Sequence, residues 1–566
     1  MIRAIFLFLY RIWCGLAYLL ERYFLRRAKY DTVNILLKGR MLEIPLVIPK
    51  WFMKEPPGKP LVHTLAMLRA IAKDEKVKRV IIRIKPVAAG WSQVQAIARE
   101  ITAIREAGKE TVAYLERGGN REYFLAAHCE KVIVPPAATV MLIGIMLEST
   151  HVKELLDKFD VAPNFYSVGK YKNAMETFTR RSPSKPAKEI IDNLAMGVYE
   201  QLVGGIARAR NLDPDQVKKI IDAGPYLAAE AKEAGLVDEI MYYDDFREQL
   251  KKERPRPNII TARSYQRFFS SYNKHRAVIA DRGLIALVVV QGGITEGGQQ
   301  ETSAASDKLC ATLRKIGDDS RFKAVVLRVV SPGGSSLASD LIWGTLNKVK
   351  AKKPVIVSMG DVAASGGYYI AMAGEEIFVE PGTITGSIGV ISGKFNLRGL
   401  YKKIGVNKEQ TKRGENAGIF TDYAAFSAGE RERITKLMET FYVDFKEKVA
   451  EGRSIAVEQV EELAQGRVYL GDEALEKGLV DRVGGVIDAL EMAKEKMRLD
   501  KDDPVRIAVF PRPKNAWLRM IPRVAGRIEI EEKLPAPIAE IFSDMRELES
   551  FDGTPQFRLP YMVKFR

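Results

Sequence analysis

An internal repeat constrains the fold of this chain more than any other feature of its sequence. The segment RVIIRIKPVAAGWSQ, which starts at Arg79, resembles KAVVLRVVSPGGSSLAS, which starts at Lys323, so that Arg83 aligns with Arg328 at an offset of 245 residues. The same offset holds without a gap as far as Lys172, and AKEAGLVDEI later matches ALEKGLVDRV at an offset of 243. A repeat of this length indicates two copies of one domain.

Both copies alternate short β-branched runs with amphipathic segments, a pattern typical of an α/β domain with a largely parallel sheet. We assign the first copy to residues 31–252, a linker to residues 253–282 and the second copy to residues 283–500. Residues 501–566 form a C-terminal extension of unknown role, although its Trp517–Ile528 segment is a candidate for contact with a membrane or a partner.

Residues 1–30 predict a helix that attaches the chain to a membrane. Ala4–Leu20 is almost wholly apolar and lacks a small-residue cleavage site, so a removable signal peptide is not expected. The stretch is at the short limit for a span, and its interruption by Arg11 also suits a helix lying in the membrane interface. By the positive-inside rule alone, the basic residues after it would keep the remainder cytoplasmic. A buried helix of the globular body is the alternative.

The composition argues against several other classes of protein. Among 566 residues, Lys and Arg outnumber Asp and Glu by 16, but no zinc-finger or aromatic RNA-binding signature accompanies this charge, so no nucleic-acid partner is expected. Excess basic charge also suits a protein close to anionic lipid. The three cysteines are too few and too scattered for a disulfide framework or a zinc cluster.

The second copy has three glycine-rich turns that the first copy lacks. They are SPGGSS, ASGGYY and TGSIGV, and glycines placed after strands expose backbone N–H groups to a ligand. The first copy aligns alanines with Gly333 and Gly334, and Leu142 with Ser387. It also replaces Ser365 by Asn120.

The first copy holds two lysines that the second copy lacks. Lys170 and Lys172 lie in SVGKYKNAMETF, and they align with Glu415 and Ala417. A duplicated enzyme that divided a serine and a lysine between its halves would show this reciprocal loss. A serine hydroxyl needs an adjacent base to become a nucleophile, and a lysine can be that base if burial keeps it neutral.

The glycine turns are candidates for stabilising the negative charge that forms when a serine attacks a carbonyl. The backbone N–H groups of Gly333 and Gly334, together with that of Ile388 after the serine, are the predicted donors. Tyr171 and the apolar side chains of Met175 and Phe178 are candidates for excluding water. An SPGG turn alone could equally hold a phosphate or a thioester.

The segments GKYKNAMETF, RVVSPGGSSLASDLI, VSMGDVAASGGYYIAMA and TGSIGV resemble the signal peptide peptidase A family, in its long bacterial form. The resemblance covers residues 40–500 and implies two ClpP/crotonase-like domains in tandem, with Ser387 as nucleophile and Lys172 as general base. Lys170 is the less favoured base, because the family places its lysine directly after the tyrosine. The SPGG glycines would supply the oxyanion hole.

The resemblance further implies a serine endopeptidase that needs neither metal nor cofactor. Its substrates would be remnant signal peptides and other extended, unfolded or apolar peptides. It would be anchored to the bacterial inner membrane as a homotetramer, with the catalytic body in the periplasm. Two alternatives stay open: a crotonase-type enzyme that acts on acyl-coenzyme A, and an inactive membrane-associated scaffold descended from a protease.

Overall fold

Runs of valine and isoleucine in both copies form strands that are buried over most of their length, as in β3 (Arg79–Ala88) and β14 (Phe322–Ser331). The computed structural model describes residues 2–44, 58–297, 303–512 and 555–558. The elements up to residue 280 are α1 (Ile2–Arg27), β1 (Thr32–Leu42), β2 (Gly58–Pro60), α2 (Leu61–Lys73), β3, α3 (Trp91–Glu106), β4 (Glu110–Leu115), α4 (Asn120–Ala127), β5 (Lys131–Val134), β6 (Thr139–Val140), α5 (Lys153–Lys158), β7 (Ala162–Val168), α6 (Glu176–Thr179), α7 (Lys185–Arg210), α8 (Pro214–Ala223), β8 (Tyr226–Leu227), α9 (Ala228–Glu233), β9 (Glu239–Ile240), α10 (Tyr243–Lys252), β10 (Ile259–Thr261) and α11 (Ala262–Ala280).

The second half follows the same pattern of alternating strands and helices. Its elements are β11 (Leu284–Gln291), β12 (Ile294–Thr295), β13 (Ala304–Ala305), α12 (Ser306–Asp318), β14, β15 (Gly333–Ser335), α13 (Ser336–Lys350), β16 (Val355–Ala364), α14 (Gly366–Ala371), β17 (Glu376–Val379), β18 (Ile384–Gly386), β19 (Val390–Asn396), α15 (Arg398–Lys403), α16 (Ala428–Arg453), α17 (Val457–Leu463), β20 (Val468–Leu470), α18 (Gly471–Glu476), β21 (Arg482–Val483), α19 (Val486–Lys496), β22 (Arg506–Phe510) and β23 (Gln556–Arg558).

The two halves are built on sheets with the same strand order. The first sheet runs β10-β1-β3-β4-β5-β9 and the second runs β22-β11-β14-β16-β17-β21, with every neighbouring pair on these paths parallel. Each helix between paired strands covers a face of its sheet, which is why the strands themselves are buried and apolar. The shared order confirms the predicted duplication of an α/β domain.

Each sheet receives one strand from outside the predicted copies. The predicted linker, residues 253–282, contains β10 and α11, and β10 pairs with β1. The predicted extension, residues 501–566, begins with β22, which pairs with β11. The Trp517–Ile528 segment lies outside the described residues.

A third sheet joins the two halves, with the strand order β13-β12-β15-β23-β19-β7. In it, β7 from the first half pairs antiparallel with β19 from the second half, from Val168 opposite Val390 to Ala162 opposite Asn396. The two halves therefore share a continuous hydrogen-bonded ladder.

Buried charges form a second contact between the halves. Both carboxylate oxygens of Glu43, which follows β1, accept hydrogen bonds at 3.0 Å from the Arg328 guanidinium on β14, and both side chains are 3% exposed. Asp361 accepts hydrogen bonds from the Ser92 hydroxyl at 2.7 Å and the Gln93 N–H at 3.2 Å, at the start of α3. A carboxylate from the second half thus lies at the amino end of α3, directly after the first-copy segment that aligns with the SPGG turn.

The first helix packs against α11 along one face. Tyr18 stacks on Tyr272 with ring centroids 5.2 Å apart, Glu21 lies 2.8 Å from the His275 ring, and Arg11 pairs with Asp281. Within the described ranges, no helix combines the length and apolar character needed to cross a membrane.

Candidate active site

The pairing of β7 with β19 determines which segments meet. Because the strands are antiparallel and Val168 lies opposite Val390, the residues after β7 run beside the residues before β19. The first segment is GKYKN and the second is TGSIG. The fold therefore brings together the lysine motif of one copy and the serine motif of the other.

The Lys172 amine lies at the centre of this junction. Its Nζ is 2.8 Å from the Ser387 Oγ, 2.8 Å from the Ser387 carbonyl oxygen and 2.7 Å from the Ser365 Oγ. Lys172 is 1% exposed, and both serines are fully buried. The two residues predicted as base and nucleophile are thus in direct contact within one chain.

The surroundings of the amine favour its neutral form. Burial lowers the pKa of Lys172 well below its ordinary value, because the charged form loses its hydration. The three oxygen atoms around Nζ are uncharged. A neutral amine carries two N–H groups and one lone pair, so it can donate to the Ser387 carbonyl and the Ser365 hydroxyl and accept from the Ser387 hydroxyl.

Lys170, the other candidate base, lies outside this junction. Its side chain is exposed, and its ammonium lies 5.0 Å from the centroid of the Tyr171 ring. Its backbone N–H donates to the Gln465 side-chain oxygen at 3.0 Å. The two lysines therefore differ in their surroundings: Lys172 is buried beside the serines and Lys170 is exposed.

Both serines at the site have unusual backbone conformations. Ser387 has φ 55° and Ser365 has φ 54°, in the left-handed region that non-glycine residues seldom adopt. The Ser387 N–H donates to the Arg467 carbonyl at 2.7 Å, and the Ser365 N–H donates to the Gly386 carbonyl at 2.8 Å. These hydrogen bonds hold the two hydroxyls toward the amine against the cost of the strained backbone.

Two glycines make room for the lysine. A Cβ added at Gly466 would lie 2.5–2.7 Å from the Lys172 backbone N, Cα and Cβ, and one added at Gly389 would lie 3.1 Å from the Lys172 Cδ. The Gly466 N–H donates to the Ile388 carbonyl at 2.7 Å, and the Tyr171 N–H donates to the Gln465 carbonyl at 2.7 Å. The lysine is therefore held between backbone segments of the second half.

Arg467 ties the lysine segment to the serine segment. Its carbonyl accepts from the Ser387 N–H, and its guanidinium donates at 2.6 Å to both the Tyr171 hydroxyl and the Glu189 carboxylate. The guanidinium carbon also lies 4.2 Å from the centroid of the Tyr171 ring. Tyr171 and Phe178 are buried and Met175 is half-buried.

The predicted oxyanion donors come from two segments of the second half. Gly333 and Gly334 form the start of β15, with φ 103° and 154°, and the Gly333 N–H donates to the Ser331 hydroxyl at 3.1 Å. Gly334 pairs with Ile294 of β12. Ile388 follows Ser387 directly and is fully buried. Across the described ranges, no cluster of His, Cys, Asp and Glu has the arrangement of a metal site.

Sequence reasoning missed Ser365 and Gly466 as site residues. A signal for Ser365 was present, because it aligns with Asn120 in the first copy and so is lost in the same way as Ser387. Gly466 carries no such signal, since its role depends on a close approach between two backbones. The contact of β23 with Ser387 was missed as well: the Ser387 Oγ lies 3.3 Å from the Arg558 carbonyl oxygen.

Comparisons with known protein families match both copies of the repeat to peptidases. The model for peptidase family S49 matches residues 103–255 and 347–500, and the model for Clp protease matches residues 287–382. The two S49 matches fall in the two copies of the repeat, and the Clp protease match covers the second-half strands that lead to Ser387.

Three relatives span different parts of the chain. It is 33% identical to the chloroplastic serine protease SPPA of Arabidopsis thaliana, over 78% of this chain and 66% of that protein. It is 30% identical to protease 4 of Salmonella typhi, over 88% of this chain and 82% of that protein. A putative signal peptide peptidase SppA of Enterococcus faecium is 38% identical over 33% of this chain and 55% of its own length.

A methyl group at position 466 tests the fit of the lysine. We expect Gly466→Ala to slow the phosphonylation of Ser387 by a fluorophosphonate reagent about 100-fold or more, because the added Cβ displaces Lys172 from the Ser387 hydroxyl. Mass spectrometry of the labelled protein over time gives the rate.

Gly478→Ala is the matched control. Gly478 has φ 71° against 77° for Gly466, so both variants carry a similar backbone strain, but nothing lies within 4 Å of an added Cβ at position 478. This variant should lose about 1 kcal/mol of folding stability and keep the wild-type rate of phosphonylation. Equal rates of phosphonylation for the two variants would contradict the conclusion that Gly466 makes room for Lys172.

Proposed function

The chain belongs to peptidase family S49, and we propose that it is a membrane-associated serine endopeptidase in which Lys172 activates Ser387 to cleave remnant signal peptides and other extended apolar peptides. One observation carries this proposal: the buried Lys172 amine lies 2.8 Å from the Ser387 hydroxyl. General bases act at this distance from the proton that they remove.

Formation of the acyl-enzyme begins with proton transfer to the lysine. As the Ser387 Oγ attacks the substrate carbonyl carbon, its proton passes to the Lys172 Nζ. The resulting ammonium has three N–H groups, and the Ser387 carbonyl, the Ser365 hydroxyl and the reacting oxygen are placed to accept from them. Ser365 is thus a positioning residue that orients the amine in both protonation states.

The negative charge on the substrate oxygen requires donors on the other side of the carbonyl. The backbone N–H groups of Gly333, Gly334 and Ile388 stay the candidates, since fixed amides can stabilise a developing oxyanion. The Gly333 N–H would have to exchange the Ser331 hydroxyl for the substrate oxygen. Lys172 then gives its proton to the leaving amine, and the C–N bond breaks. Water enters and gives a proton to the neutral lysine as its oxygen attacks the ester carbon. The ester bond to the Ser387 Oγ then breaks and Lys172 passes that proton to the Oγ, which restores both residues.

The shape of the site favours extended substrates. β15 and β19 flank the serine and are separated by the width of one strand, which β23 fills. A peptide that takes the place of β23 would bind there as a strand, which suits an unfolded chain better than a folded domain. The choice of signal-peptide remnants follows the resemblance and the name of the Enterococcus relative.

We place the membrane contact on the outer face of α1. Nine large apolar side chains of this helix are 48–63% exposed, while the opposite face packs on α11 through the contacts of Tyr18 and Glu21. Arg22 and Arg26 are also exposed and suit an anionic lipid surface. The exposed apolar residues are Phe8, Leu9, Ile12, Trp13, Leu16, Leu19, Leu20, Tyr23 and Phe24.

This arrangement favours a helix that lies in the membrane interface. A spanning helix would have to carry Glu21 and Arg11 into hydrocarbon or abandon their partners on α11 and at Asp281. An interfacial helix keeps those contacts and buries only its apolar face. We further propose that the catalytic body lies on the periplasmic side of the bacterial inner membrane and assembles as a homotetramer.

Cleavage of an apolar reporter peptide tests the dyad. We expect Ser387→Ala and Lys172→Ala to lower kcat/KM by about 100-fold or more, because each removes one partner of the proton transfer. Lys170→Ala is the matched control, an exposed lysine two residues away that should keep wild-type activity. Light scattering on the same samples reports whether a tetramer forms.

The other outcomes separate the alternatives. Wild-type activity in Ser387→Ala or Lys172→Ala would contradict the role of that residue. An assembled but inactive wild type would favour the scaffold, and retention on a coenzyme A resin would favour the crotonase-type enzyme.

Vesicle binding tests the outer face of α1. The full chain should sediment with vesicles that contain phosphatidylglycerol and should be released by alkaline carbonate, as an interfacial protein is. Leu16→Asp/Leu20→Asp should weaken binding, because charges replace two exposed apolar groups. Leu437→Asp, at a 48% exposed site on α16, is the control. Unchanged binding of the double variant, or resistance to carbonate, would contradict an interfacial helix.

A further inference from the structure

Arg467 contacts both the segment that carries the nucleophile and the segment that carries the base. Its backbone carbonyl accepts the Ser387 N–H at 2.7 Å. Its guanidinium donates at 2.6 Å to the hydroxyl of Tyr171, the residue directly before Lys172. The guanidinium carbon also lies 4.2 Å from the centroid of the same ring, so the arginine holds this tyrosine by its face and by its hydroxyl.

A carboxylate fixes the arginine in turn. Glu189, near the start of α7, accepts a hydrogen bond from the Arg467 guanidinium at 2.6 Å and from the Tyr171 hydroxyl at 3.2 Å. A phenol hydroxyl can accept one hydrogen bond and donate another, so all three contacts form at once. We call Arg467, Tyr171 and Glu189 the arginine cluster. Its tyrosine is buried, whereas its carboxylate lies at the surface.

Other titratable side chains lie beside the arginine cluster. The exposed Lys170 ammonium is 5.0 Å from the centroid of the Tyr171 ring. On α18, burial raises the pKa of the Glu473 carboxyl, against the opposing charges of Lys477 and Arg467. The Lys172 amine itself contacts only uncharged oxygen atoms, those of the two serines, among the hydrogen bonds of the described residues.

The structure fixes the register of the repeat near Arg467. The Tyr226 hydroxyl of β8 donates to the Ile220 carbonyl at 2.7 Å, and the Tyr469 hydroxyl of β20 donates to the Leu463 carbonyl at 2.8 Å. Donor and acceptor are both shifted by the same 243 residues that separate AKEAGLVDEI from ALEKGLVDRV. The two tyrosines are therefore equivalent positions of the repeat.

The arginine and the tyrosine of the cluster are divided between the copies. At the offset of 243 residues Arg467 aligns with Gly224, and at the offset of 245 residues Tyr171 aligns with Asn416. The copy that holds the serine thus has the arginine, and the copy that holds the lysine has the tyrosine. This is the same reciprocal loss that singles out the nucleophile and the base.

We propose that Arg467 is a positioning residue for the general base, which it holds against the serine segment through the side chain of Tyr171. This inference rests on the proposed peptidase function and adds to it the group that keeps the base in place. A lysine side chain is long and flexible, so a contact of 2.8 Å between Lys172 and Ser387 needs a fixed backbone. Releasing the tyrosine would let the lysine segment move and admit water to the amine.

The pH dependence of Ser387 phosphonylation by a fluorophosphonate reagent tests this role. Tyr171→Phe removes the hydroxyl, keeps the ring and changes no charge. We expect it to slow phosphonylation at neutral pH about tenfold, as for the loss of one hydrogen bond to a charged group. The midpoint of the rising limb should move to higher pH, because water at the amine raises the pKa of Lys172 toward its ordinary value. Arg467→Gln should move the rate and the midpoint further in the same directions.

Arg79→Gln is the matched control. Arg79 begins β3, is partly buried and donates to two carboxylates, Glu110 at 2.5 Å and Glu253 at 2.8 Å. This variant should keep the wild-type midpoint even where it loses stability. Slower phosphonylation with an unchanged midpoint in both Tyr171→Phe and Arg467→Gln would mean that the cluster only stabilises the fold, and would overturn the proposal.

The double variant Tyr171→Phe/Arg467→Gln tests whether the two residues act through each other. If the arginine acts through the tyrosine, the double variant should be phosphonylated about as slowly as Arg467→Gln alone. Two effects that multiply would show independent roles and would overturn the proposed route from Arg467 to the base.

Cleavage of an apolar reporter peptide by the same samples separates this role from the peptidase function. A wild type that is phosphonylated at Ser387 but leaves the reporter intact would overturn the peptidase function, and the shifted midpoints would still support the role of Arg467. A wild type that cleaves the reporter no faster than Tyr171→Phe and Arg467→Gln, at one common midpoint, would overturn the positioning role alone.

Discussion

Lys172 places its amine at a buried site, and this placement requires both halves of the chain. The first half supplies the lysine after β7, and the second half supplies the backbone of Gly466 and the hydroxyls of Ser365 and Ser387 around it. Burial costs the amine its hydration, so the neutral form is favoured. The lowered pKa of the lysine therefore depends on the packing of the two copies against each other.

The duplication explains why the contact between Lys172 and Ser387 needs residues from both halves. The first copy lacks the serine and the glycine turns. Asp361 from the second half lies at the amino end of α3, directly after the first-copy segment that aligns with the SPGG turn. The buried pair of Glu43 and Arg328 joins the halves nearby, and removing one partner would leave an uncompensated charge in the core. The first-copy segment that aligns with the SPGG turn thus lies at the interface between the two halves.

The repeat predicted the α/β duplication and directed attention to Lys172 and Ser387, because reciprocal loss between aligned copies is visible in one sequence. The resemblance favoured Lys172 over Lys170, and the structure shows the difference as burial against exposure. Gly466 and β23 were out of reach, since both depend on contacts between segments far apart in the chain. The prolines and basic residues of 253–282 predict a linker, and in the structure this range contains β10, which pairs with β1, and α11 (Ala262–Ala280).

The pH dependence of kcat/KM for reporter cleavage tests the central claim, that burial makes Lys172 a neutral base. A lysine base is active only when it has lost its proton, so activity should rise with pH through the lowered pKa of Lys172 and stay high above it. The account predicts a single rising limb with its midpoint well below the ordinary lysine pKa of about 10.4. A midpoint at that ordinary value, or activity that falls as pH rises through the neutral range, would contradict it.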